Sequence, residues 1–338
     1  MHAFVYDALP GRIVFGAGTA RTELGPEVAR LGASRILLIA SERDAERVRA
    51  LSAPFADRIA ATFTAVREHV PTATAQAVRA AAAGADLLLC VGGGSTVGAA
   101  KAAALTTRLP ILAVPTTYSG SEVTPVWGAS QDGVKTTGTD LAVLPRTVVY
   151  DPELVASLPA ELAAASALNA MAHCVEAFWA PRRNPVSTVM AEEGARCLAA
   201  GLRTHDPEQL LQGAYLAGSA LAVAGTGLHH KLAHVLGGLG LPHARTHAVV
   251  LSHVLAFNAA GAPDAVARLS RALGVDDAVA GLRAVTAEAG IPRGLRELGL
   301  REDQLDEVTA RTEAVVPGDN PGGGALRPLV RAAWAGTD

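Results

Sequence analysis

The fold is decided by residues 86–96, which read DLLLCVGGGST, an apolar run followed at once by a glycine-rich turn. The run is short, continuous and bounded by polar or turn residues, which is typical of a strand buried on both faces of a sheet. Residues 35–40, 111–114 and 147–150 have the same character. Helical, alanine-rich stretches separate the runs, one of them from about residue 44 to 84. This alternation predicts crossover units that build a parallel sheet.

The second half of the chain has a different pattern of residue types. After Asp151-Pro152 the segments are long and rich in alanine and leucine, with few β-branched runs. Proline and glycine divide them into separate helices, and these breaks are Pro159, Pro181, Pro185, Gly225, Gly237-Gly238 and Pro242. The sequence therefore predicts an α/β domain over residues 1–152 and an all-α domain over residues 153–338. A loop at 321–324 is expected before a last helix that ends near Trp334.

The composition limits the classes of partner. With 338 residues, 50% of them hydrophobic and 18% charged, the chain has enough apolar material for two packed domains. A net charge of -3 without any block of Lys or Arg argues against nucleic acid and anionic membranes, which need clustered cations. The three cysteines have no CxxC spacing, and no apolar run approaches the roughly 20 residues of a membrane span. We expect a cytoplasmic protein whose partners are small molecules.

The glycine-rich turn is a candidate phosphate site. Glycines let backbone N–H groups approach a phosphate closely, and the N-terminus of the following helix adds partial positive charge. The alternative is a tight turn without a ligand, but the position between a strand and a helix favours phosphate binding. The residues predicted to contact the cofactor here are Gly92, Gly93, Gly94 and Ser95.

A second polar loop, residues 115–122 (PTTYSGSE), follows the next apolar run. Ligands bind open α/β sheets at the carboxyl ends of the parallel strands, so both loops are expected to face one crevice. Thr116, Thr117 and Ser119 are therefore further cofactor candidates. The alternative is a helix N-cap formed by Ser119 or Ser121.

The histidines of the second half form the other candidate site. Asn169 and His173 are spaced i and i+4, and His230 and His234 have the same spacing, so each pair shares a helix face. His243 follows a predicted turn and can return toward them. Six of the ten histidines lie between residues 229 and 253. A lone histidine is usually a hydrogen-bonded core or surface residue, but this clustering favours a functional site.

The chemistry of this cluster can be interpreted in two ways. An HxxxH spacing with a distant third histidine first suggests a divalent metal. However, Asn169 is an uncharged amide and a poor ligand for a hard dication. With Lys231 and Arg245 near by, the imidazoles are suited to binding carboxylates and delivering a proton. We therefore expect no metal.

Taken together, these residues resemble the iron-containing alcohol dehydrogenase superfamily, and within it the maleylacetate reductases. The likeness extends over nearly the whole chain. The segments that carry it are 14–18 (VFGAG), 92–96 (GGGST), 115–122 (PTTYSGSE), Gly128, 133–135 (GVK), 166–173 (SALNAMAH), 227–234 (GLHHKLAH) and 241–248 (LPHARTHA).

The resemblance implies the fold of dehydroquinate synthase and the iron-type alcohol dehydrogenases: a dinucleotide-binding α/β domain, a helical domain and an active site in the cleft between them. Metal-dependent relatives hold iron or zinc with an Asp and three His, and the matching positions here are Asn169, His173, His230 and His243. Maleylacetate reductases share the Asn and the His-His-Lys triplet and work without a metal. The implied reaction is reduction of maleylacetate, a small dicarboxylate, to 3-oxoadipate in aromatic-compound breakdown, by a homodimer.

The resemblance also bears on the choice of cofactor. In metal-dependent relatives the strand after the first helix commonly ends with an Asp that binds the ribose hydroxyls and rejects a 2′-phosphate. Here that strand leads into Ser41, followed by Glu42 and Arg43, whose charges favour opposite cofactors. We expect both NADH and NADPH to be used, with Ser41 and Lys135 among the cofactor-binding residues.

The implied reaction assigns roles to the cluster. Hydride addition to the alkene carbon remote from the ketone builds enolate charge, which must be stabilised and then protonated. The candidates are His243 and His234 as proton donors, His173, His230 and Lys231 as ligands of carboxylate or enolate oxygens, and Asn169, His229, Tyr118 and Arg245 as further substrate contacts.

Three alternatives stay open at the level of sequence. The first is a metal-dependent alcohol or aldehyde oxidoreductase in which Asn169 still coordinates the ion. The second is a reductase of another unsaturated or keto acid. The third is a non-catalytic nucleotide-binding or sensor protein, which has no need of a proton-donating cluster.

Overall fold

The computed structural model describes residues 4–68, 70–131, 134–316 and 318–337, apart from the side chains of residues 131, 134 and 135. The chain divides into two compact units. One consists of residues 9–157, and the other begins at residue 158 and includes residues 4–8.

The first unit is built on strands. They are β1 Arg12–Phe15, β2 Ile36–Ala40, β3 Ile59–Phe63, β4 Leu87–Gly92, β5 Ile111–Pro115, β6 Val126–Gln131, β7 Val134–Thr139 and β8 Thr147–Tyr150. Six of them form a parallel sheet in the order β1-β8-β5-β4-β2-β3, and β6 pairs with β7 in an antiparallel ribbon. The helices of this unit are α1 Thr19–Thr22, α2 Leu24–Arg30, α3 Ala45–Ser52, α4 Thr72–Ala81, α5 Gly94–Thr107 and α6 Pro152–Val155.

The four predicted strands are confirmed to within a residue at each end, as β2, β4, β5 and β8, and every residue in them is buried. The helical material predicted from about residue 44 to 84 is present as α3 and α4, but the strand β3 between them was not predicted. This strand (IAATF) lies at the edge of the sheet and is only partly buried, so it needs no continuous apolar run. The ribbon of β6 and β7 was not predicted either.

The structure ends the first unit a few residues beyond the boundary predicted at 152. Asp151 explains the difference, since its buried carboxylate accepts hydrogen bonds from the N–H groups of Gly18 and Ala20. The same carboxylate accepts from the N–H of Glu153 and so caps α6. The short helix α6 is thereby attached to the turn after β1.

Among the described residues of the second unit the structure has helices and connecting loops but no strand, as predicted. Its helices are α7 Ala160–Ala177, α8 Pro185–Thr204, α9 Pro207–Ala224, α10 Leu228–Gly238, α11 His243–Ala259, α12 Pro263–Leu273, α13 Ala278–Glu288, α14 Leu305–Glu313 and α15 Arg327–Ala335. The predicted breaks mark their ends: Pro185 opens α8, Gly225 closes α9 and Pro242 precedes α11. In the portion of the chain that the structure describes, no helix combines the length and the apolarity needed to cross a bilayer.

The three cysteines are free and buried: Cys90 in β4, Cys174 in α7 and Cys197 in α8. Burial is the largest cause of the raised pKa of each thiol, which reaches about 12 for Cys90 and about 11 for Cys197. The predicted absence of a disulfide framework agrees with their separate positions.

Candidate functional site

The glycine-rich turn connects β4 to α5 and leaves no room for side chains. A Cβ atom at Gly92 would lie 2.3 Å from Oγ1 of Thr96, and one at Gly93 would lie 2.9 Å from Cγ2 of Thr117. Gly93 is the N-cap of α5, and no described side chain caps that end of the helix. The first N–H groups of α5 are therefore available to an anion, which agrees with the phosphate site predicted at residues 92–95.

The second polar loop lies against this turn. The N–H of Thr116 donates to the carbonyl of Gly92 at 3.1 Å, and a Cβ atom at Gly94 would lie 3.2 Å from Cβ of Ser119. The two loops follow β4 and β5, which are neighbours in the sheet, and they contact each other; that both face one cofactor crevice stays a prediction. The ring of Tyr118 in this loop is only 1% exposed, which leaves little surface for a substrate to contact.

Two buried charged residues that the sequence analysis did not single out support the second loop. Lys101 of α5 donates from Nζ to the carbonyls of Ser121, Thr124 and Val126 at 2.7–2.8 Å. Burial lowers the pKa of Lys101 to about 7, although the nearby carboxylate of Glu122 acts in the opposite direction. Burial likewise raises the pKa of Glu122.

Ser41 lies at the end of β2, which is next to β4 in the sheet. Its hydroxyl donates to Oδ2 of Asp44 at 2.5 Å. Asp44 also lies 3.6 Å from Arg47, so a carboxylate that sequence reasoning missed stands close to this cofactor candidate. The side chain of the other candidate, Lys135, falls outside the described part of the structure.

In the second unit, three helices bring the predicted histidines together. The rings of His173 (α7) and His230 (α10) are stacked with their centroids 5.0 Å apart. His247 of α11 lies 5.0 Å from His230 and 4.5 Å from His243, also on α11. His234, one turn after His230, lies 6.3 Å from it. The helices therefore form one cluster from residues spread over more than 70 positions of sequence.

Sequence reasoning assigned no role to two residues of the cluster, His247 and Glu176. The carboxylate of Glu176 accepts from Nδ1 of His230 at 2.5 Å and from the N–H groups of Gly227 and His229 at 2.9 and 2.6 Å. Burial alone would raise the pKa of Glu176, but His230 and the other donors hold it below its ordinary value. Its position three residues after His173 on α7 is the signal that could have identified it.

The bond to Glu176 fixes the orientation of His230. Because the carboxylate accepts, Nδ1 of His230 carries a hydrogen and Nε2 faces the cluster. Nε2 of His230 has no hydrogen-bond partner among the described residues, and neither has Oδ1 of Asn169 or Nδ1 of His173. Each of these side chains is at most 7% exposed. Buried polar atoms without partners indicate a bound ligand or water.

The other buried imidazoles are held neutral. Burial lowers the pKa of His229 to about 3, and burial with the neighbouring imidazoles lowers those of His173 and His247 well below the usual range. His229 and His247 share a hydrogen bond of 2.9 Å between Nε2 and Nδ1. The cluster therefore contains one imidazole with a carboxylate partner and several without.

Two further residues were predicted to contact the substrate, Arg245 and Lys231. Arg245 is 43% exposed and forms an ion pair with Glu161 of α7. Lys231 is half-buried on α10, next to His230 in sequence. The structure thus joins His173, His229, His230, His234 and His243, and gives Arg245 another partner.

The donor set does not fit iron. Asn169 supplies a neutral oxygen at the position where metal-dependent relatives have a carboxylate, and hard divalent ions bind neutral amides weakly. Within the described part of the chain, no three His, Cys, Asp or Glu side chains are arranged to hold a metal. No step of the chemistry below is therefore assigned to a metal ion.

Comparisons with known proteins agree with this architecture. Residues 10–152 match the family of iron-containing alcohol dehydrogenases, and residues 163–322 match the C-terminal part of the same family. Maleylacetate reductase from Sphingobium indicum is 46% identical over 91% of this chain and 90% of its own length. Maleylacetate reductase from Burkholderia cepacia is 43% identical over 98% of this chain and 96% of its own.

Solved structures give the same result. An iron-containing alcohol dehydrogenase from Corynebacterium glutamicum has a TM-score of 0.96 and 43% identity, covering 100% of this chain and 98% of that one. Maleylacetate reductase from Rhizobium sp. has a TM-score of 0.91 and 39% identity, covering 100% and 99%. The chain therefore belongs to the iron-containing alcohol dehydrogenase family of oxidoreductases, within the group of the maleylacetate reductases.

Proposed function

We propose that this enzyme reduces the conjugated carbon–carbon double bond of maleylacetate to give 3-oxoadipate, with NADH or NADPH and without a metal ion. The observation that carries the proposal is the buried Glu176–His230 pair, in which Nε2 of His230 has no hydrogen-bond partner among the described residues. Asn169, an uncharged amide one turn before His173 on α7, supports metal independence. The names of the relatives support the substrate. The family likeness supports a place for the reaction in aromatic-compound breakdown. The family likeness also supports a cytoplasmic homodimer.

The first unit offers the cofactor site. The uncapped start of α5 and the glycines at 92–94 suit a pyrophosphate, and the hydroxyls of Thr117 and Ser119 border the same turn. When bound, the nicotinamide supplies a hydride to the alkene carbon remote from the ketone. We place Ser41 at the ribose end because it follows the strand next to β4.

The histidine cluster supplies the remaining chemistry. Glu176 places a negative charge beside Nδ1 of His230, so Nε2 is the ring atom that can donate to a carboxylate or enolate oxygen of the substrate once it carries a proton. His173 and Asn169 offer further polar atoms beside it. The enolate left by hydride addition takes up a proton at carbon, and this completes reduction of the double bond.

The proton donor is expected to be an imidazole that solvent can recharge. His243 and His234 are both half-buried, whereas His173, His229 and His247 are buried and hard to protonate. This contrast supports the first two as donors.

Metal independence is tested by oxidation of NADH with maleylacetate in a strong chelator. We expect an unchanged rate, because the proposed charges come from side chains. The discriminating control is a panel of simple alcohols and aldehydes with NAD⁺ and added iron or zinc. Loss of turnover in chelator that either metal restores, or a preference for simple alcohols, would show a metal-dependent alcohol or aldehyde oxidoreductase.

The donor is identified by replacing each candidate. We expect His243→Ala to lower kcat by about 10²-fold, the usual contribution of a positioned general acid, while the Kd for NADH stays within about twofold. His234→Ala is the matched variant, and the larger loss marks the donor. If both variants keep the wild-type kcat, neither imidazole delivers the proton.

A further inference from the structure

Lys101 is an unusual residue for the interior of a nucleotide-binding domain. It is 1% exposed, and its Nζ lies 2.7–3.0 Å from four oxygens: the carbonyls of Ser121, Thr124 and Val126 and the hydroxyl of Thr124. All four are neutral acceptors. An ammonium has three N–H groups to donate, so the chain itself replaces the water that a buried charge loses.

These contacts connect the two loops of the candidate cofactor site. Lys101 lies on α5, the helix that begins at the glycine-rich turn. Its acceptors lie on residues 121–126, at the end of the second polar loop and just beyond it. A leucine or methionine at position 101 would fill the space but could not donate hydrogen bonds to the three carbonyls. The N–H groups of Lys101 therefore serve to fix one segment against another.

Glu122 holds the same segment from the other side. Its carboxylate accepts from the hydroxyl of Tyr150 in β8 at 2.7 Å and from that of Ser119 at 3.1 Å. Ser119 is the residue that packs on Gly94, and Thr117 packs on Gly93. Contacts of Lys101 and Glu122 thus determine the distance between the second polar loop and the start of α5.

We propose that Lys101 is a positioning residue for the cofactor, which holds Thr117 and Ser119 against Gly93 and Gly94 so that the loop closes over the pyrophosphate. The inference rests on the proposed NAD(P)H site. Lys101 itself touches no cofactor, and it acts only through the segment whose carbonyls it binds.

The test is direct titration of the intact enzyme with NADH, followed by fluorescence. We expect Lys101→Met to weaken the Kd for NADH by about 10-fold or more, because three carbonyls lose a charged donor. At saturating NADH, kcat and the KM for maleylacetate should stay within about twofold, since the histidine cluster is unaltered. Thr124→Val, which removes one of the four acceptors, should weaken binding by about threefold.

Val78→Ala is the control for a purely structural effect. Val78 is fully buried in α4, which belongs to neither loop, so its truncation lowers stability without changing a residue of either loop. An NADH affinity in Lys101→Met equal to that of the wild type and of Val78→Ala overturns the inference. If Lys101→Met does not fold, an unchanged Kd in Thr124→Val overturns it. A wild-type enzyme that binds neither NADH nor NADPH overturns the proposed function as well.

Discussion

Glu176→Gln is expected to lower kcat for maleylacetate reduction by about 10²- to 10³-fold while NADH binds with unchanged affinity. Both oxygens of Glu176 accept from backbone N–H groups, one from His229 and the other from Gly227. In either orientation of a glutamine side chain at this position, the amide nitrogen would face one of these backbone N–H donors, where a carboxylate has an accepting oxygen. The substitution also removes the negative charge beside Nδ1 of His230, so a protonated ring loses its counter-charge.

Steady-state kinetics over a range of pH distinguishes this role from a structural one. The loss should appear in kcat, and the pH dependence of kcat should change shape because the cluster loses the buried negative charge of Glu176. Glu288→Gln makes the same chemical change at an exposed site of α13 and should leave both unaltered. A Glu176→Gln enzyme with the wild-type kcat and pH profile would remove the Glu176–His230 pair from the mechanism.

The second large effect is loss of stability in mild acid. The folded protein keeps His173, His229 and His247 neutral, with a pKa of about 3 for His229, against 6.5 in an unperturbed histidine. Below pH 6.5 these three histidines bind protons in the unfolded chain but stay neutral in the folded chain. The neutral imidazoles therefore cost no stability above that pH. The free energy of unfolding falls as the pH drops from there toward the pKa values that these histidines have in the folded protein. Three such groups should cost about 4 kcal/mol between about pH 7.5 and 5.5.

Urea unfolding at a series of pH values measures this directly. Replacing the hydrogen-bonded pair together, His229→Leu with His247→Leu, should remove about two thirds of the pH dependence, because only His173 then remains. His205→Asn, at an exposed position, is the matched control and should leave the dependence unchanged. A free energy of unfolding that varies by less than about 1 kcal/mol over this range would contradict the assignment of neutral imidazoles.

The sequence predicted the parts of the fold that depend on local pattern. Buried central strands need continuous apolar runs, so β2, β4, β5 and β8 were recognisable. The edge strand β3 has fewer apolar contacts to make, and its alanines suit a helix equally well. Proline and glycine act on the backbone directly, which is why the ends of α8, α9 and α11 were predicted well.

The site was predictable where a motif carries the chemistry and unpredictable where long-range contacts do. Glu176 contacts Gly227 and His230 across more than 50 residues, and its only local signal is the spacing of three residues from His173 on α7. Lys101 looks like a solvated helix residue in sequence, yet the fold surrounds it with carbonyls. Arg245 shows the opposite case, since a cation close to the histidines in sequence pairs with Glu161.

The burial of all three cysteines has a consequence for handling the enzyme. Thiolates, rather than thiols, react with alkylating agents and peroxide. In the native state Cys90, Cys174 and Cys197 are buried, and the raised pKa of each one favours the thiol. Modification by iodoacetamide therefore requires the chain to open. The rate of labelling at each sulfur then reports how often its own unit unfolds.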